Sequence, residues 1–253
     1  LLAPSLALAQ TPQAAFMRAD TSSLHRRLDS LARAHKGQLA YTVHNLDTGE
    51  RFETRGDEPF PTASLIKVPI LVTLYDLVAK GSIALDDPIR VLKIDKVPGS
   101  GILQHLHDNI EITVRDAAWL MSTISDNTAT NLLLDKVAIR RVWEKMEALG
   151  LPKSKVHAKS FQRFTSVAMD SSVKYGLGVT TSNEMARLFA LLAAGKAVSL
   201  AADSAMLQLL ENNSNNEQMR RFAQGVTMAT KDGAGDQIRT ECALFRLQSR
   251  VVA

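Results

Sequence analysis

The spacing of apolar residues changes repeatedly along the chain, and each change predicts a different element. Leu24, Leu28 and Leu31 recur at helical intervals behind a Thr21-Ser22-Ser23 cap, and Gly37 ends that helix. Gln38 to Asn45 alternates apolar with polar, Asp47-Thr48-Gly49 turns the chain, and Glu50 to Thr54 returns, so a hairpin is expected. From Pro61 to about Gly195 helical spacing takes over. It covers a strongly apolar run from Ser64 to about Val78, Thr113-x-x-Asp116 leading into Ala117 to Ile124, Ala129 to Val137, and Val142 to Leu149 before Gly150. Thr181-x-x-Glu184 makes a capping box for Met185 to Ala194, Gly195 closes that helix, and another spans Ala201 to Glu211. Strand-like segments return at Val226 to Lys231, at Arg239 to Leu247 and from Arg250, where the chain stops inside an apolar segment.

Strands at both ends with helices between them predict an α/β (α+β) fold. One antiparallel sheet is built from both termini, with flanking helices and an all-helical subdomain. Residues 21–60 and 212–253 then form the sheet subdomain, residues 61–211 the helical one, and the active site lies between the two. Residues 1–20 are read as the remnant of a signal peptide and a tail. Leu1 to Gln10 is apolar and uncharged and closes on Ala7-Leu8-Ala9, a small-x-small pattern that a signal peptidase accepts, so a periplasmic or secreted protein is expected. No other run is long and apolar enough to span a membrane, because Lys67, Pro69 and Asp76 interrupt the best candidate.

Composition narrows the function classes. The 253 residues, 45% of them hydrophobic and 22% charged, suit a soluble globular protein with a sizeable core. The formal net charge of +4 is mildly basic, but Lys and Arg are scattered among acids, which argues against nucleic acid and leaves an anionic small substrate or a cell-wall surface. A monomer acting on a small molecule is expected. The single Cys242 excludes an intramolecular disulfide and a Cys-based metal cluster. His105-Leu106-His107-Asp108 resembles a zinc element, but its Asp comes one residue early, and none of the six His is paired by helical spacing. No metal and no other cofactor is expected.

The candidate chemistry starts at Ser64-Leu65-Ile66-Lys67. If Ser64 sits in the first turn of a helix, Lys67 lies one turn on, on the same face, with its amine near the hydroxyl. A serine hydroxyl needs an adjacent proton acceptor to attack, and a lysine serves when burial or neighbouring charge lowers its pKa. The spacing alone decides little, since Ser171 to Lys174 repeats it in a polar stretch. Two further elements follow in order: Ser125-Asp126-Asn127 between helical stretches, and Lys231-Asp232-Gly233-Ala234 on a late strand. Each triplet alone reads as a turn or cap.

The ordered set resembles the class A β-lactamases and related penicillin-recognising serine enzymes, with their S-x-x-K, S-D-N and K-T-G motifs. Gly99-Ser100-Gly101-Ile102-Leu103, the hairpin near Tyr41 and the Val179-Thr180-Thr181 helix start extend the likeness over most of the chain. The resemblance implies that Ser64 attacks a lactam carbonyl, Lys67 helps to remove its proton, and Ser125 passes a proton to the leaving nitrogen. It further implies that Asn127 holds the substrate's side-chain amide, Lys231 favours negative charge nearby, and Arg239 binds the substrate carboxylate. Backbone N–H groups of Ser64 and Ala234, the latter beside Gly233, would meet the oxyanion.

The sequence departs from that family in ways that bear on activity. Asp232 stands where the family has Thr or Ser, which predicts repulsion of a substrate carboxylate unless Lys231 or Arg239 neutralises it or it is protonated. The best match to the family's R-W-E-x-x-L-N loop is Arg163-Phe164-Thr165-Ser166-Val167-Ala168-Met169, with Thr165 in place of the Glu that activates water. Asp170, the only acid between Leu149 and Asn183, is a candidate surrogate, as is Lys67. The expectation is a serine hydrolase that opens a β-lactam amide through an acyl-serine, with deacylation impaired. The alternatives are a penicillin-binding sensor or non-turnover homologue, and a peptidase or esterase using the same serine.

Overall fold

A helix apolar on every side is stable only when other elements surround it, and the run that follows Ser64 is such a helix. The protein was studied as a computed structural model, which describes residues 21–214, 218–223, 225–247 and 250–252. The signal-peptide reading of residues 1–20 lies outside them. Residues 1–38 form one unit, whose described helix α1 (Thr21–Ala34) starts at the expected cap, and residues 39–253 form another.

In the second unit β1 (Tyr41–His44) and β2 (Arg51–Thr54) make the expected hairpin, with Tyr41 opposite Thr54. Its turn is held by Asn45, whose Oδ1 accepts from the N–H groups of Asp47 and Thr48. After β3 (Phe60–Pro61) the chain tightens into a 3₁₀ turn, Ala63–Ile66, and continues as α2 (Lys67–Ala79). Pro69 lies in the first turn of α2, where its missing N–H has no intrahelical partner to lose. Lys67 to Tyr75 and Leu77 are all buried, so α2 is the central helix. Its first polar exit is Asp76, which pairs with Lys80 at 2.6 Å and Lys145 at 2.7 Å.

The next elements surround α2. β4 (Pro88–Val91) and β5 (Ile110–Thr113) pair antiparallel, and α3 (Val114–Thr123), α4 (Asn127–Val137) and α5 (Ile139–Ala148) pack on the central helix. The Thr113–Asp116 capping box forms as the sequence predicts. β6 (Lys155–Val156), a loop, α6 (Met169–Tyr175) and β7 (Gly178–Thr180) follow, and β3, β7 and β6 join in a small sheet. The stretch read as helical thus also carries strands: β3, β6 and β7 are too short to show an alternation in sequence, and β4 and β5 alternate over only four residues each. α7 (Ser182–Ala193) begins three residues before the expected Met185, directly behind its Thr181 cap, α8 (Leu200–Glu211) sits within a residue of the expected range, and a short α9 (Met219–Phe222) comes next. Glu184 departs from the capping box. Its carboxylate accepts from Lys153 N–H and Ser154 Oγ, tying α7 to the loop before β6.

The late strands β8 (Thr227–Gly235), β9 (Ile238–Leu247) and β10 (Arg250–Val252) form an antiparallel ladder in the order β10-β9-β8. Within the described residues this ladder and the β1–β2 hairpin are separate sheets, and α7 packs against both β1 and β9. Lys231 faces Cys242 across β8–β9, Asp232 faces Glu241, and Gly233 faces Thr240.

Candidate active site

Ser64 lies in the 3₁₀ turn, not in the first turn of the α-helix that the spacing suggests, and Lys67 caps that turn and opens α2. With three residues per turn, positions i and i+3 eclipse, so serine and lysine project from the same line of the turn. The turn is clamped from both sides. Thr62 N–H donates to Gly178 O at 3.1 Å, and Thr240 Oγ1 of β9 donates to Thr62 O at 2.7 Å. Ala63 holds φ at 44°, a left-handed conformation that costs a non-glycine residue energy and collects at functional sites.

Lys67 is 1% exposed, and its Nζ donates to Ser125 O at 2.6 Å, Ser125 Oγ at 3.0 Å and Asn127 Oδ1 at 2.9 Å. Burial holds its pKa well below the ordinary lysine value, and the charge of Lys231 pushes the same way against Asp126 and Asp232. Three acceptors would favour the ammonium, but one of them is a hydroxyl that can turn around. The neutral amine then donates to Ser125 O and Asn127 Oδ1 while its lone pair accepts from Ser125 Oγ–H, so both protonation states are satisfied. Among the described residues Ser64 Oγ makes no hydrogen bond.

Ser125-Asp126-Asn127 reaches Lys67 because it is a helix start. Ser125 sits at φ 58°, which turns the chain sharply out of α3, and Asp126 caps α4 by accepting from Ala129 N–H. Its other oxygen accepts from the N–H groups of Ile102 and Leu103 at 2.7 and 2.9 Å. A single buried carboxylate therefore fastens the Gly99–Leu103 segment to α4. Gly101 is obligatory there, since a Cβ would lie 2.2 Å from the Asp126 carboxylate. Asn127 uses its other side-chain group as well, with Nδ2 donating to Pro98 O at 3.1 Å.

The strand β8 closes the site from the opposite side. Gly233 presses its backbone on the nucleophile turn so closely that an added Cβ would lie 2.6 Å from Thr62 O and 2.7 Å from Ser64 N. Ala234 follows it on the strand and is exposed. Lys231 is fully buried, and burial lowers its pKa against the pull of Asp232 and Glu241. Its Nζ donates to Asp232 O at 2.8 Å and to Asp232 Oδ1 at 3.3 Å, so Lys231 supplies the counter-charge to Asp232 that the sequence left open. Asn213 Nδ2 also donates to Asp232 Oδ1, at 3.2 Å. Arg239 is spent elsewhere: its guanidinium donates to Gly235 O and Ile238 O at the hairpin end.

In the loop between β6 and α6 the Thr165 side chain is engaged locally. Thr165 Oγ1 accepts from Lys159 N–H and donates to Gln162 O, closing a small hairpin within the loop. Asp170 is exposed in the first turn of α6 and, among the described residues, makes no hydrogen bond or ion pair. The residue tied to the site's own helix is Ser160, whose N–H donates to Asn131 Oδ1 at 2.8 Å and whose carbonyl accepts from Asn131 Nδ2 at 3.0 Å. Sequence reading missed Asp126, Asn131, Ser160 and Thr240. Only Asp126 had a signal, as an N-cap acid ahead of a helix. Among the described residues no group of three or more His, Cys, Asp or Glu is placed to hold a metal ion.

Comparison with known proteins finds the same fold elsewhere. The β-lactamase from Sphaerobacter thermophilus DSM 20745 superposes with a TM-score of 0.82 at 31% identity, covering 92% of this chain and 86% of that one. A point mutant of PBP-A, in an acyl-enzyme complex with penicillin G, has the same fold at 23% identity and a TM-score of 0.80, over 91% of this chain and 84% of that one. Beta-lactamase BRO-1 of Moraxella catarrhalis is 34% identical over 92 residues, which are 36% of this chain and 29% of that protein. The chain thus spans under a third of that curated relative's length. The Beta-lactamase enzyme family matches residues 23–253, so nearly the whole chain is accounted for, and this protein belongs to that family.

Proposed function

We propose that this protein opens β-lactam amides by acyl transfer to Ser64 and releases the acyl group slowly. The observation that carries the reading is the hydrogen-bond set around buried Lys67, which places a lysine of lowered pKa between the nucleophile's turn and Ser125. Neutral Lys67 takes the Ser64 proton as Oγ bonds to the carbonyl carbon. The oxyanion is met by the N–H groups of Ser64 and Ala234, which the close approach of Gly233 keeps near each other. As the ring C–N bond breaks, Ser125 Oγ gives its proton to the nitrogen and recovers one from the Lys67 ammonium. Asn127 and Lys231 line the substrate's path, with Asp232 between Lys231 and the solvent side.

Deacylation lacks a carboxylate base among the residues tied to this hydrogen-bond set. That favours the second reading, a penicillin-binding protein that acylates without turnover. The likeness to relatives named β-lactamases supports the hydrolase, and the apolar, uncharged Leu1 to Gln10 supports a place in the periplasm or outside the cell. The test is to mix the purified protein and Ser64→Ala with a fluorescent penicillin and a chromogenic cephalosporin. A covalent label lost in Ser64→Ala supports acyl transfer, sustained colour adds turnover, and no reaction in either assay refutes the lactam reading.

A further inference from the structure

We infer that Ser160 is the loop residue facing the acyl-serine, and that its side chain sets how fast the acyl group leaves. The inference rests on the acyl-transfer reading above. It starts from α4, where Asn127 and Asn131 are one turn apart and share a face. Asn127 Oδ1 accepts from Lys67, and one turn further along Asn131 grips both backbone groups of Ser160. The next residue, Phe161, lays its ring at the same edge. An added Cβ on Gly99 would lie 2.7 Å from Asn127 Nδ2 and 3.1 Å from two atoms of the Phe161 ring. Phe161 reaches this place at φ 59°, a left-handed backbone that a non-glycine residue holds only under constraint.

Ser160 itself is 5% exposed, and its Oγ is shut off from solvent without a hydrogen-bond partner among the described residues. Native structures rarely leave a buried hydroxyl so, unless water or a reacting group uses it. Ser160 also borders a cavity of about 310 Å³ under the loop, lined with Ala158, Phe161 and Leu177, which offers room for water. Thr165, by contrast, has its hydroxyl engaged inside the loop.

Hydrolysis of the acyl-serine joins a water oxygen to the acyl carbon, moves one water proton to a base, and returns a proton to Ser64 Oγ as the ester bond breaks. A serine hydroxyl orients that water but does not accept the proton near neutral pH, so the acyl group persists. A carboxylate at position 160 supplies the acceptor.

The experiment measures the half-life of the fluorescent-penicillin adduct, by gel and intact mass, for wild type, Ser160→Glu, Ser160→Asp and Thr165→Glu. Ser160→Glu should shorten the half-life by roughly 10²-fold or more, with a release rate that rises with pH as the new carboxylate ionises, and Thr165→Glu should leave it within about twofold. Ser160→Asp serves if circular dichroism finds Ser160→Glu unfolded. Equal effects at 160 and 165, or unchanged release from a folded, normally labelled 160 variant, overturns the inference. A wild type that neither labels nor sustains colour with the chromogenic cephalosporin overturns the acyl-transfer reading and this inference with it, whereas sustained colour without a lasting adduct overturns this inference alone.

Discussion

Gly233→Ala tests whether strand β8 is what tunes the nucleophile's backbone. The new methyl carbon would lie 2.6 Å from Thr62 O, 2.7 Å from Ser64 N and 2.6 Å from Thr240 Oγ1. Each is about 0.7–0.8 Å inside ordinary van der Waals contact, which begins near 3.4 Å. The Thr240 hydroxyl can rotate away at the loss of its bond to Thr62 O, but the other two atoms belong to the backbone of the nucleophile turn, itself held by Gly178 O. Relief therefore requires β8 and the turn to separate by a sizeable fraction of an ångström.

Overpacking of this kind costs about 1–3 kcal/mol of stability. The loss in reaction is larger. A displacement near 1 Å, or one oxyanion donor drawn out of place, lowers rates by about 10²-fold. The second-order rate of labelling by a fluorescent penicillin should therefore fall by roughly 10²-fold in Gly233→Ala, while thermal unfolding shifts by roughly 2–12 °C. Gly235→Ala is the control on the same strand, since its Cβ meets only the end of the Ile238 side chain, at 3.1 Å. It should label near the wild-type rate. If Gly233→Ala labels within about threefold of wild type, β8 does not hold Ser64 as described.

Other expectations follow from the same contacts. The depressed pKa of Lys67 means that labelling rises with pH as the amine loses its proton, with a midpoint well below the ordinary lysine value; a midpoint at or above the ordinary lysine value would refute it. The linkage has the same sign: the unfolded chain binds the extra proton between the folded and unfolded pKa, so this group adds stability as pH rises through that window. Asp126→Ala strands the N–H groups of Ile102, Leu103 and Ala129 and should cost about 3 kcal/mol or more, seen as a fall in unfolding temperature of roughly 6–12 °C. A fall below about 2 °C would mean that the loop does not depend on that carboxylate. Thr240→Val removes the bond to Thr62 O and should cost about 1 kcal/mol with a smaller loss of labelling than Gly233→Ala.

The sequence made the periodic parts of this protein legible. The apolar run after Ser64 announced the central helix, the Thr113–Asp116 and Thr181–Glu184 spacings marked helix starts, and Asp47-Thr48-Gly49 marked a hairpin. The ordered motifs named Lys67, Ser125 and Asn127, which the fold joins in one hydrogen-bonded set, Ser64 on the turn just before Lys67, and Gly233 on the strand that presses on that turn. What stayed hidden was non-local. Strands such as Phe60–Pro61 and Lys155–Val156 are too short to carry a period and exist because β7 pairs with both. Matching the loop by residue type set Thr165 in line with a missing glutamate, but a register within a loop is decided by what grips its backbone. The grip is Asn131, about thirty residues upstream in the chain, and no local pattern advertises it.

Asp232 shows how one unexpected residue acts on both halves of the site. Its carboxylate faces the half-buried Glu241 across the ladder and leans on Lys231, so its charge is countered from within the protein before any substrate arrives. The same charge raises the pKa of Lys67 against the effect of burial, and so keeps a larger share of the proposed base protonated near neutral pH. Asp232→Thr therefore removes two obstacles together: repulsion of a substrate carboxylate, and the field that holds the Lys67 proton. The two separate by assay. The loss of repulsion speeds labelling only by lactams that bear a carboxylate, while the freed Lys67 shifts the pH midpoint of labelling downward for every acylating agent. If Asp232→Thr changes neither, Lys231 already cancels the Asp232 charge at the site, and the altered motif has no bearing on acylation.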